Sequence, residues 1–188
     1  MQVLPAKIDT TDRLLSIAML LVGGMVLATL LRYPSVREHL KLGLIGLALV
    51  CVAATLTFFL GSGPLFAAEG KQIGVHVGVL TGLMWVAEIS FNNFVDPRIS
   101  TGGNRFYVDN SFWAAIALVI LITSFATASK CHKISAGVRV GLWSGYISGT
   151  ISCLMALSLV LFGMRFLLRD PINIEEYATR ASGAPSFG

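Results

Sequence analysis

The chain has 188 residues, 55% of them hydrophobic and only 13% charged, with a formal net charge of +4. Soluble domains carry about 25% charged residues, so this composition excludes an ordinary soluble domain. The long apolar runs instead predict an all-α, polytopic integral membrane protein, because each crossing helix needs roughly 20 apolar residues. The basic balance suits contact with an anionic lipid bilayer, and the sequence has no basic face with interleaved aromatic residues that would indicate nucleic acid.

Five apolar stretches predict five transmembrane helices, which form a single bundle over residues 1–168. They cover residues 14–31, 42–60, 73–91, 112–128 and 140–161 or beyond. The first stretch is too long for the apolar core of a secretory signal, and no small-residue cleavage site follows it. We therefore expect it to remain as the first span.

The longest polar connection is predicted between residues 96 and 110, before the fourth span. Its proline and its pair of glycines are typical of turns. Asp109, Asn110 or Ser111 is expected to cap the helix that follows. We expect this connection to offer a contact surface to a partner.

The last apolar stretch continues to Leu168, which makes it about 43 Å long at 1.5 Å per residue, against a hydrocarbon core of ~30 Å. We expect it to tilt strongly, to break, or to leave the membrane near Arg165. Residues 169–188 form a polar carboxyl-terminal tail, in which Asn173 and Glu176 have the spacing of a capping box and predict a short surface helix. Its glycine- and serine-bearing end is also compatible with a fragment of a longer chain.

A glycine-rich pattern of nine residues occurs twice. Residues 74–82 read GVHVGVLTG and residues 137–145 read GVRVGLWSG, with five identical positions. Two crossings separate the copies, so both helices are expected to run in the same direction. The match is compatible with a parallel repeat of a two-helix unit, spans 2–3 and spans 4–5, or with chance similarity between helices rich in glycine and valine.

Glycine at every fourth position leaves a strip of helix surface without side chains, where another helix can approach closely in lipid. We therefore predict a glycine zipper. It would join helices within the chain, or it would bind a second copy or another membrane protein. Its members are Gly74, Gly78, Gly82, Gly137, Gly141, Gly145 and Gly149.

Glu88 is the one carboxylate well inside an apolar run. Because a charge at the centre of a spanning helix costs about 2.5–3.5 kcal/mol, its side chain should face protein or water. Asn92 lies one helical turn away, and Asn93 and Arg98 follow. These four residues form a candidate intramembrane polar site. Glu88 either binds a proton or a cation, or it is a structural carboxyl group that bonds a neighbouring helix or Arg98.

The sequence predicts neither catalysis nor a metal site. Cys131 and His132 are the one neighbouring pair of soft ligands, and two ligands are too few to hold a metal ion. The motifs of serine hydrolases, zinc proteases and nucleotide-binding proteins do not occur in the sequence. We therefore expect no enzyme activity and no cofactor.

These features favour a small non-catalytic membrane protein that acts as a structural, regulatory or partner-binding subunit of a membrane assembly. The alternative is a small-solute or ion-coupled transporter with Glu88 at its polar site. In either case we expect the partners to be the lipid bilayer and a membrane protein or a second copy of the chain. The expected location is a bacterial cytoplasmic membrane.

Overall fold

The computed structural model describes residues 10–33, 69–95 and 102–180. Every regular element in these ranges is an α-helix. The helices are α1 (Thr10–Arg32), α2 (Glu69–Phe94), α3 (Gly102–Cys131), α4 (Ile134–Phe162), α5 (Met164–Leu167) and α6 (Pro171–Arg180). The predicted second span, residues 42–60, lies outside the described residues.

Three of the described helices are long and apolar enough to cross a membrane. The qualifying stretches are Gly70–Phe94, Asn104–Cys131 and Ile134–Phe162. In α1 the apolar stretch is shorter, Ile17–Arg32. An all-helical protein with helices fit for a bilayer is therefore confirmed over the described ranges, while the count of five spans stays a prediction.

Helix α4 lies at the centre of the bundle, because it packs against α1, α2 and α3. Its most extensive interface is with α2. There Gly74 lies against Trp143, and Gly78 lies against Ile147. Because the residue numbers rise together on both sides of this interface, α2 and α4 run parallel.

The glycines of α2 allow this close approach because they have no side chains. A Cβ atom added at Gly74 would lie 2.6 Å from the Cβ of Trp143, and one added at Gly78 would lie 2.8 Å from the Cβ of Ile147. Both distances are well inside van der Waals contact. The helices are thus closer than any residue larger than glycine would permit at these two positions.

The carboxyl ends of α1 and α4 meet. Arg32 Nη1 donates to the carbonyl oxygen of Leu161 at 2.8 Å, and the Tyr33 hydroxyl donates to that of Val160 at 3.1 Å. Both carbonyls belong to the last turn of α4, where the helix has no amide groups left to bond them. The end of α1 therefore supplies the hydrogen bonds that α4 lacks.

Helix α3 begins at Gly102 and not at residue 112. The prediction that Asp109, Asn110 or Ser111 caps this helix is therefore wrong, because all three lie in its second or third turn. Their polar character suggested a connection. It instead reflects contacts of this part of α3 with α2, which are described below.

The last apolar stretch breaks at Gly163, which is one of the three outcomes expected for it. Helix α6 starts at Pro171, and its amino end is capped by Asp170, whose Oδ1 accepts from the Ile172 amide at 3.0 Å. The short helix of the tail is thus present. The predicted cap at Asn173 is wrong, because proline after aspartate starts the helix three residues earlier.

The turn between α3 and α4 is tight. The amide of His132 donates to Ser129 O at 3.3 Å, and that of Lys133 donates to Ala128 O at 3.1 Å. This pair of bonds is the Schellman arrangement, which usually has glycine in the left-handed position. Here that position is held by His132, with a φ of 51°.

Candidate functional site: a buried polar cluster

Five polar side chains meet at one end of the bundle and form what we call the polar cluster. Each of two helices contributes a pair at the spacing i, i+4, which places both members on the same helix face. Helix α2 contributes Glu88 and Asn92, and α3 contributes Arg105 and Asp109. The fifth member, Asp170, precedes α6.

Asn92 is the centre of the cluster. Its Nδ2 donates to Glu88 Oε1 at 2.8 Å and to Asp109 Oδ1 at 2.8 Å. Its Oδ1 accepts from Arg105 Nε at 3.2 Å. An amide has two N–H groups, and both are used here to hold carboxylates from two different helices.

Arg105 links three elements. Its Nη1 lies 2.6 Å from Asp170 Oδ2, and its Nη2 donates to the main-chain carbonyl of Asn92. That carbonyl lies in the last turn of α2, where no helical amide reaches it. The planar guanidinium group can meet several acceptors at once, which an ammonium group cannot.

Asp170 has two roles. One carboxylate oxygen pairs with Arg105 and the other caps α6. The position of the tail helix is therefore tied directly to the cluster.

Three members of the cluster are buried, and the other two, Asn92 and Asp109, are half-buried. The exposed fractions of Glu88, Arg105 and Asp170 are 8%, 9% and 4%. Along α2 it lies between two edge-to-face aromatic pairs, with ring centroids 4.6 Å and 4.9 Å apart. These pairs are Trp85 with Trp113 and Phe94 with Phe166.

The charges of the cluster do not balance. Three carboxyl groups face one guanidinium group, so ionisation of all three would leave a net negative charge among largely buried side chains. Uncompensated buried charge is costly. Chemically, the arrangement can hold helices together, and it can also accept a proton or a small cation.

Two of the four predicted site residues, Glu88 and Asn92, belong to the cluster. Asn93 borders it: its Nδ2 donates to Ile89 O at 2.7 Å, and its Oδ1 accepts from Asn173 Nδ2 at 3.4 Å. Arg98 lies outside the described residues. Sequence reasoning missed Arg105, Asp109 and Asp170, although the i, i+4 spacing of the first two was a signal.

The predicted glycine strip has three different environments. Gly74, Gly78 and Gly82 lie against α4, and Gly137 lies against Ser124 and Ala128 of α3. Gly141 has the Ser124 hydroxyl at an ordinary 3.5 Å from its Cβ position. Among the described residues, no atom lies within 4 Å of the Cβ positions of Gly145 and Gly149. Matched glycines of the two nine-residue copies therefore do not make matched contacts.

In the described ranges, no three His, Cys, Asp or Glu side chains are grouped to hold a metal ion. Comparison with protein-family models, curated proteins and solved structures finds no match. A proposal for the function therefore rests on the contacts of the polar cluster and on the exposed helix surfaces.

Proposed function

We propose that this protein is a non-catalytic, multi-pass subunit of a membrane assembly with a structural or partner-binding role. The observation that carries the proposal is the bonded, buried state of Glu88. A transport site needs a carboxylate that water or substrate can reach, whereas Glu88 is 8% exposed and bonded through Asn92 to α3. Such a cluster fixes the relative positions of helices and leaves their outer surfaces for a partner.

We further propose five crossings, as the sequence predicts. The bond from Arg32 to Leu161 brings the carboxyl end of α1 to the carboxyl end of α4. Because α2 runs parallel to α4, the amino end of α2 lies at the opposite end of the bundle. Tyr33 and Glu69 therefore lie at opposite ends of the bundle. A fifth crossing at the span that the sequence predicts over residues 42–60 would account for this.

The proposed partner surface is the open half of the glycine zipper on α4. Gly145 and Gly149 lie one turn apart and are exposed, with no described atom near their Cβ positions. A second helix can approach such a surface closely in lipid, where packing and not the hydrophobic effect drives association. The glycines of α2 serve the same purpose inside the chain.

The test compares leucine substitutions at open and packed glycines. Gly145→Leu and Gly149→Leu should leave the monomer folded while reducing self-association or the recovery of a copurifying membrane protein in mild detergent. Gly24→Leu is the matched control, because this glycine of α1 also has no described atom within 4 Å of its Cβ position. Unchanged complexes after both α4 substitutions contradict the proposed surface, and loss of the folded monomer shows that the chain itself covers it.

The charge imbalance of the cluster favours a second candidate, an ion-coupled transporter. Asn92 holds two carboxyl groups, and a bound proton or small cation would offset their repulsion. This function requires that Glu88→Gln abolishes a pH-dependent flux in proteoliposomes while the protein stays folded. Absence of any proton or monovalent-cation flux in the unaltered protein counts against it.

A further inference from the structure

A second feature lies at the end of the bundle away from the polar cluster. The first turn of α2 and the last turns of α3 enclose an open groove of about 880 Å³. Its lining includes Ile73, Thr123, Ala126, Thr127, Lys130 and Lys133. The groove shares no residue with the polar cluster.

The charged residues that line the groove are cationic. Lys130 and Lys133 are both exposed, and no acidic residue is among the described residues that line the groove. Gln72 adds an exposed amide donor. Three flexible donors along one groove, without a carboxylate among the lining residues, favour an anion that carries several oxygen acceptors.

The rest of the groove lining is less polar. Ile73 and Ala126 present hydrocarbon. The hydroxyl groups of Thr123 and Thr127 donate to carbonyl oxygens of their own helix at 2.7 and 2.8 Å, so their protons are already used. From Lys130 to Thr123 the groove extends about 10 Å along α3, at 1.5 Å per residue.

Helix α3 also has the surface expected of a lipid-facing helix. Only 11% of its apolar 18-residue stretch is buried, compared with 28% for the corresponding stretches of α2 and α4. Ile122 and Phe125, beside the groove, are 62% and 73% exposed. The two lysines follow this apolar stretch directly, where a spanning helix would leave the hydrocarbon core.

We propose that this groove binds one anionic phospholipid, with its phosphate against Lys130 and Lys133 and an acyl chain over Ile73 and Ala126. Basic pockets between spanning helices are suited to such headgroups, because each cation near the surface attracts them. The apolar part of the lining distinguishes this occupant from free phosphate, which would gain nothing from it.

The test uses the full chain purified in mild detergent. Retention of phosphatidylglycerol and of phosphatidylcholine with the same acyl chains is measured by native mass spectrometry, and inorganic phosphate is tested as a competitor. We expect phosphatidylglycerol to be retained preferentially and inorganic phosphate not to displace it. Equal retention of the two lipids would overturn the proposal.

Two variants locate the site. Lys130→Gln with Lys133→Gln should weaken phosphatidylglycerol retention by about fivefold per lysine, whereas Arg165→Gln with Arg169→Gln, exposed cations at the other end, should not. Ala126→Phe should reduce retention by filling the groove while both lysines remain. Full retention in both groove variants would overturn the assignment, and displacement by inorganic phosphate alone would make the ligand a free anion.

Discussion

Arg105 and Asp170 form an ion pair in which Nη1 lies 2.6 Å from Oδ2, with side chains 10% and 6% exposed. The pair joins the first turn of α3 to the residue that caps α6, and the same guanidinium group bonds Asn92 of α2. One side chain thus connects three helices. Breaking a buried pair on one side leaves an uncompensated charge, so this contact should be sensitive to substitution.

Arg105→Gln should lower the free energy of unfolding by about 3–5 kcal/mol, because Asp170 is left buried without its cation. Arg105→Lys should be intermediate, since it keeps the charge but loses the bonds to Asn92. The measurement is unfolding in mixed detergent followed by circular dichroism. Arg165→Gln, at an exposed arginine near the same end, is the control and should change little.

A double-mutant cycle with Asp170→Asn isolates the pair from its surroundings. Arg105→Gln should cost less in the Asp170→Asn background than in the unaltered protein, because no buried carboxylate is then left unpaired. Strictly additive effects would show that the two side chains do not interact energetically.

Gly74→Ala and Gly145→Ala should have opposite effects on stability. At Gly74 the added Cβ would lie 2.6 Å from the Cβ of Trp143 and 3.1 Å from the carbonyl oxygen of Val140, so α2 and α4 must separate. Such overpacking costs about 1–3 kcal/mol. At Gly145 the described residues leave the site open, and alanine should gain up to about 1 kcal/mol through its helix propensity.

The same unfolding assay measures both substitutions. If Gly74→Ala were as stable as the unaltered protein, the close contact of α2 with α4 would not exist as described. A loss of stability at Gly145 would show that another part of the chain occupies its surface.

His132→Gly should stabilise the protein by about 0.5–1 kcal/mol. An L-residue in the left-handed region is strained by roughly 1–2 kcal/mol, and glycine removes this strain at some cost in unfolded-chain entropy. Lys133→Gly is the matched control, because the neighbouring backbone is extended, with a φ of −141°, and has no such strain to relieve. Equal changes at both positions would rule out strain at His132.

Helix periodicity predicted part of this architecture, because it depends only on spacing along one helix. It placed Gly74 and Gly78 on one face, and Glu88 one turn from Asn92. It could not tell which neighbour each face meets. Gly78 packs on α4 within the chain, whereas the equally spaced Gly145 meets no described atom.

The other three members of the polar cluster were missed for a physical reason. Arg105 and Asp109 follow a glycine pair in a polar stretch, and local propensity there indicates a connection. The contacts with Asn92 stabilise helix in this region instead, and no local pattern reports contacts between distant segments. Asp170 falls in the polar tail predicted over residues 169–188, although its carboxylate pairs across the bundle.

Glu88→Gln and Glu88→Leu should separate hydrogen bonding from charge at the centre of the cluster. The introduced glutamine keeps an oxygen that accepts from Asn92, so the free energy of unfolding should change by less than about 1 kcal/mol. Leucine has a similar size but leaves one Asn92 N–H group without its acceptor, which costs about 1–3 kcal/mol when buried. If Glu88 has a structural role, the glutamine variant should keep its free energy of unfolding and its recovery in any assembly. The leucine variant should lose both. If the glutamine variant folds normally but loses a proton or cation flux that the unaltered protein shows, the charge of Glu88 is functional, and transport becomes the better account of the cluster.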